Sequence, residues 1–325
     1  MKKLIIAGLS AFILTIILTK IFLPLLKKIK AGQTVLNYVK EHKDKNGTPT
    51  MGGLFFILSA SIVCFILGSS RIQTVCITIG LAFMVVGFID DFIKIRFKKN
   101  DGLKPYQKII FQLAISIFAG LFAYQNQITI FHLPFSQKTI NLGIATIPLV
   151  AVIFIAITNC VNLTDGLDGL AGSTSCVYLL ITAVLIGLQM EQFGYIYLRT
   201  NEYFGLQTLS ISLVGALLGF LIFNVNKASV FMGDTGSLSL GGFIGAISIF
   251  SLNSFFIPLI GIMFVVSGIS VIVQVAHFKR TKKRVFLMAP LHHHFQLKGY
   301  SESKISFCYA LITILAGAVA VLNYI

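Results

Sequence analysis

Ten stretches of apolar residues, each close to the length of helix that crosses a hydrocarbon layer, leave a membrane as the solvent in which this chain folds. A hydrocarbon core about 30 Å thick takes roughly 20 residues of helix. Blocks of that order fall near residues 3–26, 50–69, 73–90, 107–124, 145–162, 173–191, 206–223, 236–252, 255–276 and 304–324. Inside lipid every backbone N–H and C=O must be satisfied within the protein, so the blocks read as helices. Composition agrees: 56% of the 325 residues are hydrophobic and 11% are charged, where a soluble domain carries roughly 25% charged residues. The expected fold is an all-α polytopic integral membrane protein, residues 1–325 forming one transmembrane domain of about ten helices. Met1-Lys2-Lys3 before an apolar run has the look of a signal peptide. No small-residue cleavage site follows, and Leu4–Leu26 is long enough to stay in the bilayer, so it is read as the first span.

Charge orients the helices. Twenty Lys and Arg residues follow or flank the ends of spans 1, 3, 7 and 9: those from Lys27 to Lys45, from Lys94 to Lys108, Lys227, and those from Lys279 to Lys304. The other side holds Lys2, Lys3, Arg71, Lys138 and Arg199. The positive-inside rule then places the odd-numbered loops in the cytoplasm and both termini outside. The net charge of +15 is thus accounted for by topology and by attraction to anionic lipid, with no nucleic acid required. The cysteines Cys64, Cys76, Cys160, Cys176 and Cys308 lie in or beside apolar blocks without C-x-x-C spacing and read as small buried hydrophobes.

The acids carry the functional signal. Asp90, Asp91, Asp165, Asp168 and Asp234 sit at or just beyond the cytoplasmic ends of three spans, where ionisable groups are costly and mark a cavity or a pathway. If the third helix continues, Asp90, Lys94 and Lys98 share a face at four-residue spacing. Asn159, Asn162, Asp165 and Asp168 recur every three residues, a polar stripe beside Gly166 and Gly169, which let backbone approach a ligand. Asp234 lies between glycines at the start of span 8, where exposed N–H groups suit a phosphate. Oxygen ligands without a Cys/His set favour magnesium, which takes one or two carboxylates plus waters and phosphate oxygens. In the last cytoplasmic loop, His292, His293 and His294 follow Pro290; on a helix they would diverge by about 100° each, unlike a helical zinc pair, and they suit a diphosphate or a sugar. Gly47-Thr48-Pro49-Thr50-Met51-Gly52-Gly53 fixes a turn against the membrane.

Taken in order, the 47–53 segment, Asp90-Asp91-x-x-Lys94, Asn162-Leu163-Thr164-Asp165-Gly166-Leu167-Asp168-Gly169-Leu170, Phe231-Met232-Gly233-Asp234 and the triple histidine resemble the polyprenyl-phosphate N-acetylhexosamine-1-phosphate transferases. Within that superfamily, the first-loop motif and the histidines point to the phospho-N-acetylmuramoyl-pentapeptide transferase family. The resemblance covers essentially the whole chain. It implies transfer of phospho-MurNAc-pentapeptide from UDP-MurNAc-pentapeptide to undecaprenyl phosphate, giving lipid I and UMP for peptidoglycan. The reaction would use Mg2+ in a cleft at the cytoplasmic face of the bacterial inner membrane. Carried over by motif, Asp234 is the metal ligand, and Asp90 and Asp91 serve the lipid phosphate and reaction centre. Asn162, Asp165 and Asp168 line the nucleotide and diphosphate site. Lys45, Thr50, Lys94, Lys98, Asn224, His292, His293 and His294 surround the substrate, His292 among the catalytic group; Asn159 and Lys108 are lesser candidates. A homodimer is also suggested by the resemblance.

Two other readings stay open on the sequence alone. The aspartate motifs would equally serve a related transferase using UDP-GlcNAc or another UDP-sugar. A cation-coupled transporter also places carboxylates between helices, though it would hold them near mid-membrane in inverted repeats. One-step displacement and a two-step route through a carboxylate-bound phospho-sugar are both compatible with the residues.

Overall fold

The computed structural model describes residues 1–28, 47–68, 70–97, 102–136, 138–192, 200–225 and 227–324. The helices are α1 (Lys2–Lys28), α2 (Gly53–Leu67), α3 (Arg71–Phe97), α4 (Pro105–Gln125), α5 (Thr146–Thr164), α6 (Leu170–Gln192) and α7 (Thr200–Asn224). They continue with α8 (Gly233–Phe250), a short α9 (Ile257–Ile260), α10 (Ile262–Thr281), α11 (Leu291–Leu297) and α12 (Glu302–Val321). Among the described residues eight helices are long and apolar enough to span a membrane: α1, α3, α4, α5, α6, α7, α10 and α12. The all-α expectation meets one exception, a hairpin of β1 (Ile130–His132) and β2 (Thr139–Asn141), antiparallel with Phe131 opposite Ile140. Three-residue strands in a connecting loop leave no periodic signal long enough to detect.

Helix α8 is the axis of the bundle. All its residues from Thr235 to Phe250 are buried, and it packs along α3 and α5. Glycines and serines let those neighbours approach: Ser239 donates through Oγ to the Gly80 carbonyl at 2.8 Å. A Cβ on Gly241 would meet the backbone of Thr158. Close backbone approach through small residues is how helices associate where lipid supplies no hydrophobic drive. The outer helices α1, α4, α10 and α12 instead present Ile13, Phe118, Ile272 and Leu315 outward, the surface a hydrocarbon solvent would cover.

Several boundaries differ from expectation, among them a start at Thr200 for α7 and a break at Gly261 in the expected ninth span, and two of them serve the same end of the bundle. Helix α3 runs on to Phe97, about two turns past the expected end. Helix α2 starts only at Gly53, because Met51, with φ at +71°, breaks the helical path and the residues from Pro49 to Gly53 pair with the segment before α8. Phe231 N–H donates to the Pro49 carbonyl (2.8 Å), Gly52 N–H to Phe231 (2.9 Å) and Gly53 N–H to Met232 (3.0 Å).

Candidate active site

Asp90, Asp91 and Lys94 arrive on the extension of α3. A Cβ on Gly87 would run into the carbonyl of Asp234, so glycine there lets α3 lie directly against the first turn of α8. Gly233, with φ at +70°, turns the chain into that helix. The two aspartates then divide their work. Asp91 is buried and caps α8: its Oδ1 accepts from Asp234 N–H (3.2 Å), its Oδ2 from Thr235 N–H (2.9 Å) and Thr235 Oγ1 (2.7 Å). The expectation that these N–H groups await a phosphate is therefore corrected: a carboxylate already complements the positive end of the helix.

Asp90 faces the other way. Its Oδ1 accepts from Leu103 N–H at 2.7 Å, and its Oδ2 lies 2.6 Å from Lys94 Nζ and 3.3 Å from Lys108 Nζ. The same ammonium groups reach Asp234 Oδ2, at 3.1 Å from Lys94 and 2.6 Å from Lys108. Two carboxylates thus share two cations in an alternating square. Asp234 keeps some exposure, and Asn162 Nδ2 donates to its Oδ1 at 2.8 Å and to Ser237 Oγ at 2.8 Å. Lys108, a lesser candidate on sequence, is central here; α4 begins at Pro105 and aims its first turn back at α3.

The stripe expected along α5 holds only in part. The helix ends at Thr164, so Asn159 and Asn162 are helical while Asp165 and Asp168 belong to a turn. Asn159 Nδ2 bonds Gln112 Oε1 at 2.7 Å and the Ile155 carbonyl at 2.7 Å, one layer deeper than the acidic cluster. Burial pushes the Asp165 carboxyl well above its ordinary range, and Asp234, Asp91 and Asp168 add to that. Asp168 is buried; its Oδ2 accepts from Ala228 N–H at 2.9 Å. Asn224 is spent on backbone, accepting from Gly169 N–H at 3.1 Å and donating to the Val230 carbonyl at 2.9 Å.

The histidines form a second wall. His292 is fully buried with both ring nitrogens unpartnered, and its ring centroid is 4.4 Å from that of His293. Burial, with His293 beside it, holds the His292 imidazole well below its usual range. A Cβ on Gly166 would fall against Nε2 of both rings, so α11 packs on the Asp165 turn. His294 points away and accepts through Nδ1 from Leu287 N–H at 3.1 Å. Thr50 lies buried beside Gly233 with its hydroxyl unpartnered. Lys45 and Lys98 lie outside the described residues. Sequence reasoning missed Thr235, Ser237, Gln112, Gln296 and Glu302; the first two could have been found from their spacing after Asp234.

Asp90, Asp91 and Asp234 each offer an oxygen within 4.8 Å of the others. There is no soft ligand among them, so the cluster fits a hard divalent cation, which would have to displace ammonium groups from the Asp90 and Asp234 oxygens.

The profile of the family described as Glycosyl transferase family 4 matches residues 72–252. Residues 45–57 match the pattern described as Phospho-N-acetylmuramoyl-pentapeptide-transferase signature 1. The chain is 43% identical over 312 residues to a phospho-N-acetylmuramoyl-pentapeptide-transferase of Clostridium botulinum (strain Eklund 17B / Type B), covering 95% of this chain and 93% of that one. It is 41% identical over 333 residues to the protein of the same name from Clostridium novyi (strain NT), covering 100% and 98%. The corresponding protein of Clostridioides difficile (strain 630) is 41% identical over 326 residues, covering 97% and 96%.

Proposed function

The chain belongs to the phospho-N-acetylmuramoyl-pentapeptide-transferase family, and from that premise we propose that it transfers phospho-MurNAc-pentapeptide from UDP-MurNAc-pentapeptide to undecaprenyl phosphate. The products are lipid I and UMP. The observation that carries the reading is the square of Asp90, Asp234, Lys94 and Lys108, which gathers both signs of charge where two anions must meet.

Asp90 and Asp234 would hold Mg2+, Asp91 being occupied with α8. When bound, the ion supplies Lewis-acid stabilisation of the diphosphate and of the charge leaving on UMP. Lys94 and Lys108 exchange carboxylate for phosphate oxygens as the substrates arrive, offsetting the repulsion between lipid phosphate and diphosphate. An oxygen of the lipid phosphate forms a bond to the sugar-bearing phosphorus. The bond from that phosphorus to the bridging oxygen breaks, and the electron pair departs with UMP. A phosphate monoester has its second pKa near 6, so the lipid phosphate is largely dianionic at neutral pH and needs no base. That assigns Asp90 to holding the cations in place rather than to removing a proton, and favours direct displacement. Asn162 keeps Asp234 aimed at the cleft. The Asp165 turn and the histidines face the nucleotide and sugar.

The reading includes the ten-span topology with both termini outside, the cleft at the cytoplasmic face of a bacterial inner membrane, and a homodimer. Twenty cations gathered on the loops of one side support the orientation.

The test is purified protein with UDP-MurNAc-pentapeptide, undecaprenyl phosphate and magnesium, scored for UMP release. Use of UDP-GlcNAc with refusal of the muramyl substrate would overturn the proposal. Asp234→Asn should lower turnover by about 10²- to 10³-fold with the protein still folded, the loss of a principal electrostatic group; full activity at ordinary magnesium would remove Asp234 from the metal site.

A further inference from the structure

We infer that Glu302, acting through Gln296, is a positioning residue that sets the tautomer of His293 and ties the histidine wall to the Asp168 turn. This rests on the proposed function only for its effect on turnover.

Glu302 stands in the first turn of α12, behind the N-cap Ser301. Its Oε2 accepts from Asp168 N–H at 2.9 Å, and its Oε1 lies 3.3 Å from Gln296 Nε2. Ser306, one turn along α12, donates to the Asp168 carbonyl at 3.2 Å, so α12 holds both main-chain polar groups of Asp168. Gln296 Oε1 in turn lies 3.0 Å from His293 Nδ1.

The donor roles follow from the end of the chain. A carboxylate only accepts, so the group of Gln296 that meets Glu302 is its NH2. The amide oxygen is then the atom facing His293, and it has no hydrogen to give. His293 Nδ1 must therefore carry the proton of the bond. In the neutral ring this leaves the lone pair on Nε2, the atom that a Cβ on Gly166 would approach to 3.0 Å. His293 thus presents a hydrogen-bond acceptor toward the Asp165 turn. A second partner that fixes which ring nitrogen is protonated is a recurring device around functional histidines.

The experiment is nitrogen NMR of the full chain, labelled with 15N-histidine in lipid nanodiscs without substrate, His293 being assigned from the signals lost in His293→Asn. The wild type should show the Nδ1–H tautomer. Gln296→Leu, which leaves the Glu302 bond to Asp168 in place, should mix the two tautomers, as should Glu302→Gln. Both should lower kcat by about tenfold to a hundredfold, and Glu302→Asp should recover part of the loss. An Nε2–H tautomer in the wild type, or an unchanged His293 signature in both variants, would overturn the inference. Should the wild type fail to release UMP from the muramyl substrate, the functional reading falls while the tautomer result stands by itself.

Discussion

Replacing Lys108 by methionine keeps the aliphatic stem and deletes one of the two cations in the square, and the two consequences run in opposite directions. Unit charges 4 Å apart interact by about 4 kcal/mol at an effective dielectric of 20. The Lys108 ammonium lies 2.6 Å from Asp234 and 3.3 Å from Asp90, so it competes directly with any divalent ion for those oxygens. Its side chain is 19% exposed and Lys94 remains on both acids, so about 1.4–2 kcal/mol of that competition is expected to survive screening. The magnesium concentration giving half-maximal activity should therefore fall about 10- to 30-fold. At the same time kcat should fall about 10²-fold, the typical loss when one preorganised group facing the developing charge is removed. UMP release across a magnesium titration measures both. Lys108→Arg, which keeps the charge, should leave the magnesium midpoint within a few-fold of wild type. A midpoint for Lys108→Met that is unchanged, or that moves to higher magnesium, would refute the shared-oxygen geometry.

Gly87→Ala should damage activity more than its size suggests, because the new Cβ meets the Asp234 carbonyl, which is backbone; overpacking of this kind costs about 1–3 kcal/mol, read as a lower melting temperature with reduced UMP release. Gly80→Ala on the same helix meets the buried Phe243 ring instead, away from the acidic cluster, and should lower the melting temperature with a smaller loss of activity per degree. His292 makes stability depend on pH. Its folded-state pKa lies below the unfolded value near 6.5, so below pH 6.5 the unfolded chain takes up a proton that the folded chain refuses. Stability should then drop by up to about 1.4 kcal/mol per pH unit as pH falls, and His292→Gln should flatten that slope in melting curves from pH 7.5 to 5; an unchanged slope would count against a buried neutral ring.

The membrane helices were legible because their signal is length and apolarity, which a residue such as Asp90 near an end does not disturb. Where α2 begins was not, since the turn from Pro49 to Gly53 is held by pairing with Phe231 and Met232, about 180 residues away in sequence. The acidic cluster was visible from its placement at helix ends, yet the roles within it were not. Asp90 and Asp91 are adjacent and identical in type, and only the 100° between them on α3 sends one to the α8 N–H groups and the other to the lysines. Lys108 was only a lesser candidate, because the loop before it is less distinctive than the aspartate motifs. Nothing around Glu302 in the sequence marks it, since its bond to Asp168 N–H depends on a turn more than 130 residues away.

The pairing of Asp90 with Lys94 lies within one helix, and this bears on how the chain enters its membrane. During synthesis α3 emerges before Lys108 and long before Asp234 exist. A bare carboxylate near the bilayer would be a costly passenger at that stage. The lysine one turn on travels with it, so Asp90 partitions as one half of a neutralised pair, and the addition of Lys108 and Asp234 from other helices to that pair belongs to assembly rather than to insertion.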